Sequence, residues 1–179
     1  MLIALSGTPG TGKTTISRIL RQHYHIIDLN QLVIHEELYS GKDEKRDSYL
    51  VDIEKIKKRI KHTNSKADVI IEGHFSHLLD VDAVILLRTS PQILEKRLEK
   101  KGISLKKIKE NVEAEAVDVI LVEAVEGCSK VFEIDTTNKT PQEVTACVIY
   151  IIECLKNGKI PEKFLPGKIN WLELIHHMT

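Results

Sequence analysis

The sequence predicts a three-layer α/β fold: five parallel strands in the order 2-3-1-4-5, with helices on both faces. Three observations carry this expectation. Apolar runs of four to six residues alternate with helical patterns along the chain. Two runs, Val69-Ile70-Ile71 and Val84-Ile85-Leu86-Leu87, are continuously apolar, as strands covered on both faces must be. The first run ends at Gly7-Thr8-Pro9-Gly10-Thr11-Gly12-Lys13-Thr14, which fits the pattern G-x-x-x-x-G-K-[ST] at every fixed position.

The first strand, 2–6, leads into that glycine loop, and Ile16, Ile19 and Leu20 place one apolar face on a helix over 13–23. Strand, loop and helix start make a phosphate cradle. The glycines let backbone N–H groups curl around phosphate oxygens, and the helix start adds partial positive charge. Lys13 is expected at the β- and γ-phosphates and the Thr14 hydroxyl on Mg²⁺. Gly10, Thr11, Gly12 and Thr15 complete the expected nucleotide contacts, so the loop predicts binding of a nucleoside triphosphate. Strand 25–28 and a helix over 30–39 follow, then a polar stretch through Gly41, Asp43, Arg46 and Asp47. Segment 28–51 is the candidate acceptor pocket.

A helix over 52–61 precedes strand 68–72, which ends Val-Ile-Ile-Glu-Gly-His. Ligand groups gather at the carboxyl ends of parallel strands, so Glu72 is the expected second Mg²⁺ residue, direct or through water. His74 and His77 lie just beyond it. An imidazole there orients water or a hydroxyl, or it is a surface group that only hydrogen-bonds; His74 is taken as a site residue. Strand 83–87 ends in Leu-Leu-Arg-Thr, which puts Arg88 at the same edge. The next helix, 91–101, opens on Pro91 and carries Arg97 and Lys101 four residues apart on one face. Phosphoryl transfer depends on positioning and charge neutralisation, so Arg88, Arg97 and Lys101 are the expected cations around the transferred group. Residues 100–110 form the candidate lid. A long helix over 104–126 is expected to stop at Gly127, strand 130–135 completes the sheet, and helix 140–156 opens on Pro141. One phosphate-loop domain over 1–156 is thus expected. In 157–179, an appended tail, Phe164, Leu165, Trp171, Leu172 and Ile175 are expected to pack on the sheet or on a partner.

Composition removes several classes. Lys plus Arg and Asp plus Glu number 26 each, so no bulk charge draws the chain to nucleic acid or membrane, though local basic patches remain open. Cys128, Cys147 and Cys154 are odd in number and lack C-x-x-C spacing, which points to neither zinc nor a disulfide framework. No signal segment and no membrane-length apolar stretch is present, so a cytoplasmic location is expected. A GTPase would carry Asn-Lys-x-Asp after a late strand. Asn138-Lys139 stands there, but the Asp position is Pro141, which cannot accept from guanine. That loop is instead expected to meet adenine through backbone groups, with the Lys139 stem on the base. A large motor ATPase needs more chain. A small kinase, or an ATPase whose acceptor is water, remains.

The chain resembles the small adenylate kinases of the isoenzyme 6 type, found in eukaryotic nuclei and archaea. The resemblance covers about residues 1–156 and rests on Gly7–Thr15, Glu36-Glu37-Leu38-Tyr39 with Asp43-Glu44, Val69–Glu72 with His74, Leu87-Arg88-Thr89, and Lys106 through Glu115. It implies a nucleoside-monophosphate-kinase fold, ATP:AMP phosphotransferase activity, Mg²⁺ dependence and an ATPase activity. It also implies a small-subunit ribosomal protein as partner during rRNA processing, with pre-ribosomal RNA nearby. Three departures stand out. Glu72 replaces the family's usual Asp, Lys101 replaces an arginine, and Glu72-Gly73-His74-Phe75-Ser76 lacks the arginine that mainstream adenylate kinases carry after this strand. AMP phosphate is then expected to fall to Arg88 and Arg46.

Overall fold

The computed structural model describes residues 1–43, 48–61 and 67–172. Strands β1 (Leu2–Ser6), β2 (His25–Asp28), β5 (Val69–Glu72), β6 (Ala83–Arg88) and β7 (Val131–Asp135) form one parallel sheet, ordered β2-β5-β1-β6-β7. That is the expected order 2-3-1-4-5. A hairpin, β3 (Tyr39–Asp43) with β4 (Ser48–Val51), was not expected; it pairs antiparallel within segment 28–51.

Alternation along the strands decides which helix covers which face. Ile3, Leu5, Ile85, Leu87, Phe132 and Ile134 point to one side, where α1 (Lys13–Leu20) and α7 (Pro141–Lys156) cover them with Ile16, Leu20, Val144, Val148, Ile151 and Ile152. Ala4, Val84 and Leu86 point to the other side and meet Leu121 and Ala124 of α6 (Val119–Gly127). Beside them α2 (Leu29–His35) and α3 (Ile53–Lys61) bury Leu29, Val33, Ile56 and Ile60 against Ile71. Thr140 and Glu143 close a capping box at the start of α7, with Pro141 in the first turn as expected.

Two helices depart from expectation. The one expected over 30–39 ends at His35, because the chain turns at Glu37 (φ 52°) into the hairpin. The one expected over 104–126 is two: α5 (Leu105–Ala116) and α6, divided at Asp118, whose φ is 60°. Gly127 closes α6 as its last residue, and Cys128 is the cap. From the tail, Phe164 is buried in the main core and the Gly167 N–H donates to Glu133 Oε2 at 2.7 Å. Glu44, Arg46, Asp47 and Ile175 lie outside the described residues. Among the described residues, no helix is long and apolar enough to cross a membrane.

Candidate active site

Between β1 and α1 the loop is folded tightly enough to exclude side chains. Gly7 (φ 137°) lies against β6: a Cβ there would stand 2.4 Å from the Leu87 carbonyl oxygen. Gly10 (φ 99°) lies against α4 (Pro91–Lys100), where a Cβ would stand 2.8 Å from Leu94 and 2.9 Å from Leu98. Lys13 is buried, and its ammonium donates to the carbonyls of Gly7 at 2.6 Å and Thr8 at 3.1 Å. Burial lowers its pKa to about 8, against the carboxylates of Glu72 and Glu115, which hold it up.

Thr14 and Glu72 approach one another, with Thr14 Oγ1 3.5 Å from Glu72 Oε1. Glu72 is only 4% exposed, and desolvation raises its pKa despite Lys13. Asp28, its register partner on β2, adds to the rise. A cavity of about 190 Å³ opens here at the carboxyl edge of the sheet, lined by Lys13, Thr14, Glu72, His74, Lys101 and Asn30 among others. A second cavity, of about 370 Å³, shares Gly10, Gly12, Thr15 and Lys101 with the first, and adds Thr11, Arg97, Thr136, Lys139 and Pro141.

Arg97 is pinned to the wall of the larger cavity, donating to Thr89 Oγ1 (3.2 Å), Thr136 Oγ1 (3.1 Å) and the Thr136 carbonyl (3.0 Å). Lys139 donates to the Asp135 carbonyl at 2.9 Å. His74 is exposed at the mouth of the smaller cavity, its ring edge-on to Phe75 at 4.8 Å. Crowding by the cleft, then the charges of Lys13 and His77, lower its pKa to about 4. Solvent at the exposed ring works against that drop, and the imidazole is neutral at pH 7 on either balance. His77 is not at the cleft but buried, with Nδ1 2.9 Å from Ser6 Oγ and Nε2 2.9 Å from Glu123.

Arg88 is the expected cation that the fold keeps out of the cleft. Its Nε donates to Glu115 at 2.7 Å and its Nη1 to Glu133 at 2.5 Å; its Nη2 pairs with Asp118. The residue is 2% exposed and lines neither cavity. Four of its five N–H groups are met by these carboxylates and the Glu115 carbonyl, so the guanidinium is held beneath the loop rather than in the cleft. Sequence reasoning passed over Glu115, Thr8 and Asn30. For Glu115 the signal was its place in the Lys106–Glu115 stretch.

Among the described residues no group of three or more His, Cys, Asp or Glu is arranged to hold a metal. Thr14 and Glu72 nevertheless fit Mg²⁺, which keeps several waters and takes only one or two protein oxygens beside phosphate.

With this geometry in place, comparison with known proteins is consistent. The family model AAA_18, described as "AAA domain", matches residues 3–118. A protein of Methanosarcina acetivorans named "Putative adenylate kinase" is 44% identical over 98% of this chain and 100% of its own length. One of the same name from Methanocaldococcus jannaschii is 44% identical over 97% and 94%. A solved shikimate kinase from Acinetobacter baumannii shares the fold at TM-score 0.59, with 16% identity over 87% of this chain and 94% of that one. A phosphate loop in its strand–helix setting, backed by near-full-length matches of this strength, places the chain in the adenylate kinase family of small phosphate-loop proteins.

Proposed function

We propose that the protein catalyses reversible, Mg²⁺-dependent phosphoryl transfer from ATP to AMP. The observation that carries this is the convergence of Lys13, Thr14, Glu72 and Lys101 on one cleft, beside a second cavity able to take a nucleoside. Loop N–H groups and Lys13 bind the β- and γ-phosphates; the ammonium exchanges the Gly7 and Thr8 carbonyls for phosphate oxygens. Thr14 and Glu72 would hold Mg²⁺, which supplies positive charge to the phosphate oxygens when bound. The adenosine occupies the larger cavity, where Ile16, Pro141 and Val144 give apolar wall and the Lys139 stem covers the base. Lys101, lining both cavities, neutralises charge on the group in flight, and Arg97 fixes the wall beside it.

AMP enters from the side of segment 28–51, where Asn30 reaches the smaller cavity. A phosphate oxygen of AMP bonds to the γ-phosphorus as the bond to the β,γ-bridging oxygen breaks, giving two ADP. An anionic phosphate is already a nucleophile, so no protein base is required. Arg88 acts from beneath, as support for the loop. Water as acceptor is a second reading, favoured by the neutral His74 at the same cleft, which can align a water molecule. The ribosomal partner and rRNA processing implied by the resemblance are compatible with either acceptor, and the cytoplasmic setting is the one expected from the absence of a signal segment and of a membrane-length apolar stretch in the sequence.

A coupled assay separates the two. Two ADP formed per ATP consumed, only with AMP present, supports the kinase; phosphate release indifferent to AMP supports the ATPase. Lys13→Ala should lower either activity by about 10²–10⁴-fold, the range for losing a principal phosphate cation. Activity within about threefold of wild type would remove Lys13 from the mechanism.

A further inference from the structure

Thr8 is a buried loop residue whose carbonyl and hydroxyl are both committed. Its carbonyl accepts from Thr11 N–H (3.2 Å), Thr11 Oγ1 (2.9 Å) and the Lys13 ammonium (3.1 Å). Its hydroxyl donates to Glu115 Oε2 at 2.5 Å. Glu115 is 3% exposed, and its other oxygen accepts from Arg88 Nε (2.7 Å) and the Thr89 N–H (3.2 Å). A carboxylate is kept in the interior only when both oxygens are met. Here the loop meets one oxygen and the end of β6 the other.

Glu115 stands on α5, and α5 packs against α4 through Ile108, Val112, Leu94 and Leu98. The same leucines hold Gly10 from below. This helix pair therefore grips the phosphate loop twice, by packing at Gly10 and by a charge-assisted hydrogen bond at Thr8. It also leads to the cleft cations, since Arg97 lies on α4 and Lys101 caps it.

We propose that Glu115 is a positioning residue for nucleotide binding: through the Thr8 hydroxyl it holds the phosphate loop in register with α4 and α5, so that loop donors and Lys101 meet the triphosphate as one unit. The inference rests on the nucleotide site proposed above. Thr8 also fixes where the Lys13 ammonium waits, because its carbonyl is one of the two acceptors that hold it. A loop released from Glu115 has to be reordered by the ligand, and that cost appears as weaker binding.

Calorimetric titration with Mg·ATP, well below each variant's melting midpoint, tests this on wild type, Thr8→Val, Glu115→Gln and the double variant. Glu115→Gln also disturbs Arg88, so Thr8→Val, which leaves the Arg88 contacts in place, is the decisive single change. Each single change should raise Kd roughly 10-fold, the effect of one charge-assisted hydrogen bond. The double variant should be no more than about threefold weaker than the worse single, because both break one link. Thr8→Ser, which restores the hydroxyl, should recover most of the affinity. A merely structural role would lower the melting midpoint and leave the affinity of the folded protein unchanged. Thr8→Val binding within about twofold of wild type, a double loss equal to the product of the singles, or no recovery by Thr8→Ser would each overturn the proposal. Failure of wild type to bind Mg·ATP would instead overturn the proposed function.

Discussion

Raising the pH should weaken ATP binding through a single group, Lys13. Burial lowers its pKa to about 8, whereas an ordinary lysine titrates at 10.5. The ligand needs the charged ammonium, so binding above that value must draw a proton from solvent. At pH 9 only about one-tenth of the free protein is charged there, so apparent affinity should fall about 10-fold from its neutral value, with about 0.9 proton taken up per ATP. At pH 7 the uptake should be about 0.1. Titration calorimetry in buffers of different ionisation enthalpy measures it directly. The native chain binds fewer protons at Lys13 than the unfolded chain between pH 8 and 10.5, so this group makes the unliganded protein more stable as pH rises through that window. Affinity and this stability contribution therefore move in opposite directions, which separates deprotonation from alkaline unfolding. Flat affinity between pH 7 and 9, or uptake below about 0.3 at pH 9, would refute the reasoning.

Three further outcomes are expected. His74→Ala should lower ATP hydrolysis by about 10-fold and AMP phosphorylation by less, since AMP brings its own nucleophile; paired rate measurements decide, and equal losses would make His74 a support for Glu72. Gly73→Ala should destabilise the protein by about 1–3 kcal/mol in urea unfolding, because its Cβ would lie 2.9 Å from the buried Leu29 Cβ; no change would mean that α2 gives way freely. Arg88→Met should cost about 3–5 kcal/mol at pH 7 by leaving Glu115, Glu133 and Asp118 uncompensated. Burial already raises the Glu133 pKa and Arg88 opposes that rise, so without the guanidinium the native state holds more protons at Glu133 and the loss should shrink toward pH 5. A loss independent of pH would assign the effect to packing.

The sheet and the loop were legible because each rests on local pattern. Continuous apolar runs mark β5 and β6 as buried on both faces, and the glycine spacing marks the loop between β1 and α1. What escaped depends on partners distant in sequence. Arg88 stands at a strand edge suited to a ligand, but nothing in its neighbourhood shows that Glu115, Glu133 and Asp118 close on it from 27, 45 and 30 residues away. The helical pattern runs on through Val117 and Asp118, yet the chain breaks there, where Asp118 pairs with Arg88. In the hairpin β3–β4, β3 is polar from Ser40 to Asp43 and the apolar part of β4, Tyr49-Leu50-Val51, is too short to mark a strand by alternation. His77 had the composition of a surface histidine, and only the fold carries it under β1 to Ser6.

Strand order also bears on how the chain is made. β1 is synthesised first but sits in the middle of the sheet. Its neighbours come much later: Leu2 pairs with Val69, and Ile3 with Ala83. Until β5 and β6 have emerged, Leu2-Ile3-Ala4-Leu5 has neither edge paired, and the phosphate loop has no Leu87 carbonyl against which to fold. Non-local closure of this kind slows folding and leaves apolar strand exposed on the nascent chain. The nucleotide site is therefore assembled only after β6, and a growing chain cannot engage ATP before Leu87 has been translated and has emerged.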